Sequence, residues 1–73
     1  MSGAHAAPFV QPASFEFTAE SMAQVDRHIA KYPKGRQQSA VMPLLDIAQR
    51  QNGGWLPEAA IRVIGEMLNM PYI

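Results

Sequence analysis

Apolar residues recur at intervals of three and four along three segments of the chain, and each segment predicts a helix. The first apolar stripe has four members: Met22, Val25, Ile29 and Tyr32. Thr18 is the expected N-cap, because its hydroxyl can accept a hydrogen bond from a backbone N–H two or three residues further on. Pro33 disfavours helical geometry at the preceding residue, so this helix is predicted to end near residue 32.

The second helix contains a proline, and two starting points accommodate it. If Ser39 is the N-cap, Pro43 lies in the first turn, where its missing N–H costs little. Alternatively, the helix begins near Arg36 and is kinked at Pro43. The sequence does not choose between them, and we favour the longer helix. Few polar residues interrupt this segment, so the second helix is expected to lie centrally, with neighbours on two sides.

A Gly-Gly turn separates the second helix from the third. Asn52, Gly53 and Gly54 suit a helix end, and Pro57 suits the first position of the next helix. The third helix is expected to present five residues inward and to end at Asn69; the five are Ala60, Ile61, Ile64, Met67 and Leu68. Trp55 lies in the connection, and we expect it to fold back into the seam between the second and third helices.

These patterns predict an all-α protein, a small three-helix bundle preceded by a tail. Residues 1–14 are rich in Ala, Pro and Ser without periodicity, which predicts disorder. Residues 15–73 form the helical domain. We expect four residues to act as structural anchors: Trp55, Pro43, Leu44 and Leu45.

The composition limits the kinds of site and partner that this sequence can have. The 73 residues include no cysteine, which leaves no disulfide and no thiolate ligand for a metal or an iron–sulfur cluster within this sequence. Six Lys and Arg balance six Asp and Glu, so net charge gives no general attraction to nucleic acid or to anionic lipid. No apolar run approaches the roughly 18 residues of a membrane span, so direct membrane insertion is not expected. We predict no catalytic, cofactor-binding or metal-binding residues.

The positive charges are nevertheless unevenly distributed along the chain. Four of the six cationic residues lie within ten positions without an acid among them: Arg27, Lys31, Lys34 and Arg36. Such a cluster is typical of a helix C-terminus followed by a solvated turn. It also suits a docking surface for an acidic partner, which is the functional hypothesis.

The stretch "YPKGRQQSAVMPLLDIAQRQNGGWLP" and the later "MLNMP" carry a recognisable order. Over residues 15–72 the sequence resembles the N-terminal helical region of the iron–sulfur E subunit (24 kDa subunit) of NADH:quinone oxidoreductase, respiratory complex I. In that family the helical region leads into a thioredoxin-like domain with a [2Fe-2S] cluster on four cysteines. The resemblance implies a non-catalytic docking segment of a subunit that, in full length, takes part in electron transfer from NADH.

The sequence departs from the family pattern at its end. It stops after Tyr72 and Ile73, where the family continues, so the cluster ligands have no matching positions and the cluster is expected only in the full-length parent. The resemblance implies the flavin-bearing, NADH-oxidising subunit and other complex I subunits as partners. It implies a cytoplasmic, peripheral location on the membrane-bound complex, or the mitochondrial matrix in a eukaryote. The alternative hypothesis is an independent three-helix interaction module, like ubiquitin-associated domains.

Overall fold

The computed structural model describes residues 11–73, and these contain three α-helices and no strand. The helices are α1 (Ala19–Ala30), α2 (Val41–Gln51) and α3 (Glu58–Met67), with a short 3₁₀ helix (Gln37–Ala40) leading into α2. The predicted all-α class is therefore confirmed. Most of the predicted tail, residues 1–10, lies outside the described residues. Residues 11–14 are exposed and belong to no helix.

The start of α1 is capped as its sequence predicts. The Thr18 hydroxyl accepts a hydrogen bond from the Ser21 backbone N–H at 3.0 Å. Phe17, immediately before the cap, is buried, and Met22 in the first turn packs against the same core. Phe15 packs edge-to-face on Phe17 with ring centroids 5.1 Å apart. The chain therefore enters α1 already attached to the core.

The start of α2 differs from both sequence-based alternatives. Helical structure begins directly after Arg36, but as a 3₁₀ helix, and the α-helix starts only at Val41. Ala40 is the N-cap of α2, so the prediction of Ser39 as N-cap is wrong. Pro43 is consequently the third residue of α2, where its missing N–H would have had no intrahelical partner. The 3₁₀ turn thus gives a longer helical segment while Pro43 remains in the first α-helical turn.

Both α2 and α3 end in Schellman motifs, in which a left-handed residue satisfies the last carbonyls. Gly53 has φ +77°, and the Gly54 N–H donates to the Gln49 carbonyl at 2.9 Å. At the end of α3, Asn69 has φ +57°, and the Met70 N–H donates to the Gly65 carbonyl at 2.6 Å.

The ends of α3 are each shifted by one residue from the prediction. Leu68, not Asn69, is the C-cap of α3, and Asn69 is the left-handed residue after it. Pro57 is the N-cap of α3 rather than its first helical residue. Shifts of this size are ordinary, because a capping residue is half inside the helix.

The core confirms the central position of α2. This helix packs on both α1 and α3, whereas α1 and α3 do not pack on each other. Val25, Leu44 and Ile64 are fully buried and contribute one large side chain from each helix. Leu45 is half-buried and packs against this core. A single continuous cluster therefore holds the three helices together.

Three residues predicted to lie in the core are outside the core cluster and are not packed against it: Trp55, Ile61 and Met67. Trp55 is half-buried and is not part of the core cluster, so it lies less deep than the core anchor that the sequence predicts. Pro57, two residues later, is fully buried at the start of α3. Met67 is 37% exposed because it lies on the outer side of the last turn of α3.

Candidate docking surface

The turn between α1 and the 3₁₀ helix has a defined backbone geometry. The Arg36 N–H donates to the Pro33 carbonyl at 2.8 Å, which closes a four-residue turn over residues 33–36. Gly35 is the third residue of this turn and has φ +89°, the left-handed value that a type II turn requires there. The Gly35 N–H donates to Oε1 of Gln37 at 3.0 Å. Backbone and side-chain hydrogen bonds thus both hold this turn.

The turn and the end of α1 carry the four cationic residues singled out from the sequence. Arg27 lies in the last turn of α1 and Lys31 is its C-cap, one helical turn further on. Lys34 and Arg36 stand on either side of Gly35. All four side chains are exposed. We refer to these four residues as the basic surface.

None of the four has an ion-pair partner among residues 11–73. In that part of the chain the one ion pair joins Asp46 and Arg50 of α2 at 2.5 Å, as their i,i+4 spacing predicts. Positive charge at the end of α1 complements the helix dipole, which accounts for Arg27 and Lys31. It does not account for Lys34 and Arg36, because they lie beyond the helix.

The turn is attached to the rest of the bundle on both sides. Tyr32, just before it, is half-buried and packs against the core. The 3₁₀ helix after it packs on both α1 and α2, and Ala40 at its end is fully buried. The basic surface therefore stands on a supported turn.

Residues expected to be structural anchors do not contribute to the basic surface. Leu44 is buried in the core, and Pro43 and Leu45 are half-buried on α2. Trp55 lies in the connection to α3, where its carbonyl accepts a hydrogen bond from Nδ2 of Asn52 at 3.2 Å. Sequence reasoning missed Gln37, which holds the turn, because an amide beside a glycine gives no periodic signal.

The described residues offer no arrangement for metal chemistry. Among residues 11–73 no three histidine, aspartate or glutamate side chains lie close enough to hold a metal ion. His28 is half-buried on α1 beside the cations of that helix. Within the same range, no helix has the length and apolar character needed to cross a membrane.

Comparison with known proteins shows where this sequence belongs. The family model for thioredoxin-like [2Fe-2S] ferredoxins matches residues 25–73. The E subunit of NADH-quinone oxidoreductase from Rickettsia bellii is 48% identical over 60 residues, which are 82% of this chain and 36% of that protein. An E subunit of NADH-quinone oxidoreductase from Rhizobium meliloti is 53% identical over 64 residues, 88% of this chain and 23% of that protein.

A eukaryotic protein is also similar to this chain. The mitochondrial NADH dehydrogenase [ubiquinone] flavoprotein 2 of Dictyostelium discoideum is 60% identical over 42 residues, 58% of this chain and 17% of that protein. The chain spans about a third of the length of the Rickettsia relative and less of the others.

The cluster in the family's description does not fit the residues present. Protein [2Fe-2S] clusters are held by cysteine thiolates, with histidine replacing two of them in one class. This chain has no cysteine, and residues 11–73 contain no close group of other ligands. The matched residues form helices and turns and contain no strand of a thioredoxin-like sheet. On the extent of the match, the chain nevertheless belongs to the thioredoxin-like [2Fe-2S] ferredoxin family, within which it is similar to the E subunits of NADH-quinone oxidoreductase.

Proposed function

We propose that this chain is the helical docking portion of the E subunit of complex I, and that its basic surface contacts the flavin-bearing, NADH-oxidising subunit. The identity of 48–53% to E subunits over more than four-fifths of the chain supports a place in NADH-quinone oxidoreductase. In this proposal the segment itself is not catalytic. The whole protein takes part in electron transfer from NADH with a [2Fe-2S] cluster carried outside these 73 residues.

The observation that carries the docking role is the charge distribution. The chain is neutral overall, yet four of its six cations are exposed on one turn and the adjoining helix end, without ion-pair partners among residues 11–73. Exposed charges without an ion-pair partner remain available to attract an acidic partner, and salt weakens that attraction. An acidic patch on the larger subunit is the partner chemistry that this surface suits.

Charge complementarity of this kind acts mainly on orientation and association rate. We therefore expect weak, salt-sensitive binding rather than tight capture. Other complex I subunits are expected as further partners. In a bacterium the assembly would face the cytoplasm, and in a eukaryote the mitochondrial matrix.

The test measures association of the chain with the purified flavin-bearing subunit by surface plasmon resonance. The double variant Lys34→Glu/Arg36→Glu should lower the association rate constant at about 0.01 M salt, and the difference should shrink at about 0.1 M, where the screening length is about 10 Å. An unchanged far-ultraviolet circular dichroism spectrum would show that the helices are intact. Because both residues are exposed and lie outside the helices, we expect no loss of fold.

The chain offers a matched control. Arg50 and Arg62 are the two cations outside the basic surface, and both are exposed. The variant Arg50→Glu/Arg62→Glu has the same net charge as the first double variant but keeps the basic surface. Because it also breaks the Asp46–Arg50 ion pair, its circular dichroism spectrum must likewise be unchanged for the comparison. An equal fall of the association rate constant in the two variants would show that net charge alone causes the effect. An unchanged rate constant in both would show that the basic surface is only a solvated turn. Both results contradict the proposal.

The same experiment separates the alternative hypothesis of an independent interaction module. A module of that kind would bind a free peptide or a small modifier protein and not the flavin-bearing subunit. The similarity to the Rhizobium protein supports the first hypothesis, since it covers 88% of this chain and not a short motif within it.

A further inference from the structure

We infer that Gly35 is a positioning residue for docking, because its left-handed backbone sets the relative directions of Lys34 and Arg36 so that they engage two separate carboxylates of the partner. This inference rests on the proposed docking function and names the part of the basic surface that gives it specificity. The partner chemistry is a protein surface with two carboxylates in a fixed arrangement.

Gly35 is required for its backbone conformation and not for lack of space. Its φ is +89°, and a Cβ built at this position would meet nothing within 4 Å. A side chain would therefore fit, but an L-residue disfavours this conformation. The residue on either side is a cation, so any change of φ at residue 35 redirects Lys34 relative to Arg36.

The hydrogen bonds of the turn support the same reading. The bond from the Arg36 N–H to the Pro33 carbonyl, at 2.8 Å, spans Gly35. The Gly35 N–H is itself bound by Oε1 of Gln37 at 3.0 Å. A turn held in this way fixes the backbone from which the two cations project before the partner arrives, which reduces the ordering cost of binding.

The same residue type elsewhere provides a control. Gly53 also has a positive φ, +77°, and a Cβ there would also meet nothing within 4 Å. It lies in the turn after α2, away from the four cations in the sequence. Replacement by alanine introduces the same kind of backbone strain at both positions. A difference in binding between the two variants would therefore come from the position of Gly35 between the two cations.

The experiment compares Gly35→Ala, Gly35→Asn and Gly53→Ala in the binding assay with the flavin-bearing subunit. Gly35→Ala should weaken binding by about fivefold or more, because the competent turn becomes a minor conformer. Gly35→Asn should largely restore binding, since asparagine tolerates the third position of a type II turn. Gly53→Ala should leave binding unchanged, although its thermal midpoint falls.

A double-mutant cycle identifies how Gly35 acts. In the Lys34→Glu/Arg36→Glu background, Gly35→Ala should have no further effect, because there are no cations left to position. If charge reversal weakens binding but Gly35→Ala does not, this inference fails while the docking function stands. If Gly53→Ala weakens binding as much as Gly35→Ala does, the effect is one of stability, and the inference also fails. If charge reversal itself does not weaken binding, the proposed function is wrong, and the inference that rests on it is wrong as well.

Discussion

Oε1 of Gln51, at the end of α2, accepts a hydrogen bond from the backbone N–H of Thr18, at the start of α1, at 3.0 Å. Nε2 of the same side chain donates to the Glu16 carbonyl, also at 3.0 Å. In a capping box the N-cap N–H is bound by a Glu or Gln three residues further along the same helix, but here that position is Ser21. A residue 33 positions away serves instead, which ties the end of one helix to the beginning of another.

Removing this amide should destabilise the bundle. Gln51→Ala deletes both hydrogen bonds and should lower the free energy of unfolding by about 1–3 kcal/mol, at a net contribution of about 0.5–1.5 kcal/mol per bond. Urea denaturation followed by circular dichroism measures the change. Gln38→Ala is the control, since this exposed amide makes one longer bond, 3.3 Å, to the Asn69 carbonyl. An equal loss in both variants would contradict a special role for Gln51.

Pro43 should be nearly neutral to replacement. It is the third residue of α2, where no intrahelical bond is lost, so Pro43→Ala should change the free energy of unfolding by less than about 1 kcal/mol. The measurement is urea denaturation of the two proteins side by side. A gain of about 3 kcal/mol on replacement would instead indicate an interior, strained proline.

The depths of Trp55 and Leu44 predict unequal costs of truncation. Leu44 is fully buried, and Leu44→Ala should cost about 2–5 kcal/mol. Trp55 is half-buried outside the core cluster, so Trp55→Ala should cost less than about 2 kcal/mol, because less apolar surface is withdrawn from water. Thermal unfolding monitored by circular dichroism compares the two. A larger loss for Trp55 would restore it as a core anchor.

Gly65 should be intolerant of a side chain. A Cβ at this position would lie 2.7 Å from the Met70 carbonyl oxygen, where the last residues cross back over α3. Gly65→Ala should therefore displace residues 70–73, and the roughly 1 kcal/mol that alanine adds to helix propensity should not offset the clash. The Met70 amide donates to the Gly65 carbonyl, so its hydrogen exchange should become faster in the variant, and hydrogen exchange is the measurement.

The matched variant for this prediction is Asn69→Gly. Glycine adopts the left-handed conformation of Asn69 without strain, so exchange of the Met70 amide should stay slow. Slow exchange in Gly65→Ala as well would show that the crossing adjusts without cost.

Local sequence patterns were sufficient to predict the three helices and most of their ends. The cap at Thr18, the stop at Gly53 and the i,i+4 pair of Asp46 and Arg50 each depend on residues within a few positions of one another. The central place of α2 also followed from sequence, because a helix with so narrow a polar face must be covered on two sides. The basic surface could be located from sequence since its four cations are neighbours along the chain, whereas its docking role stays a prediction.

Other features depended on contacts between distant residues. Pro57, and not Trp55, is fully buried at the start of α3, because the depth of a side chain in a connection depends on how the three helices pack. The bond from Thr18 to Gln51 and the close approach of Met70 to Gly65 likewise join segments that no periodicity relates. The sequence by itself determined which segments are helical and where they turn, since caps and spacing are local. Only the tertiary structure decided how deeply each side chain is buried and which distant groups are hydrogen-bonded, since that depends on volumes and partners brought together by folding.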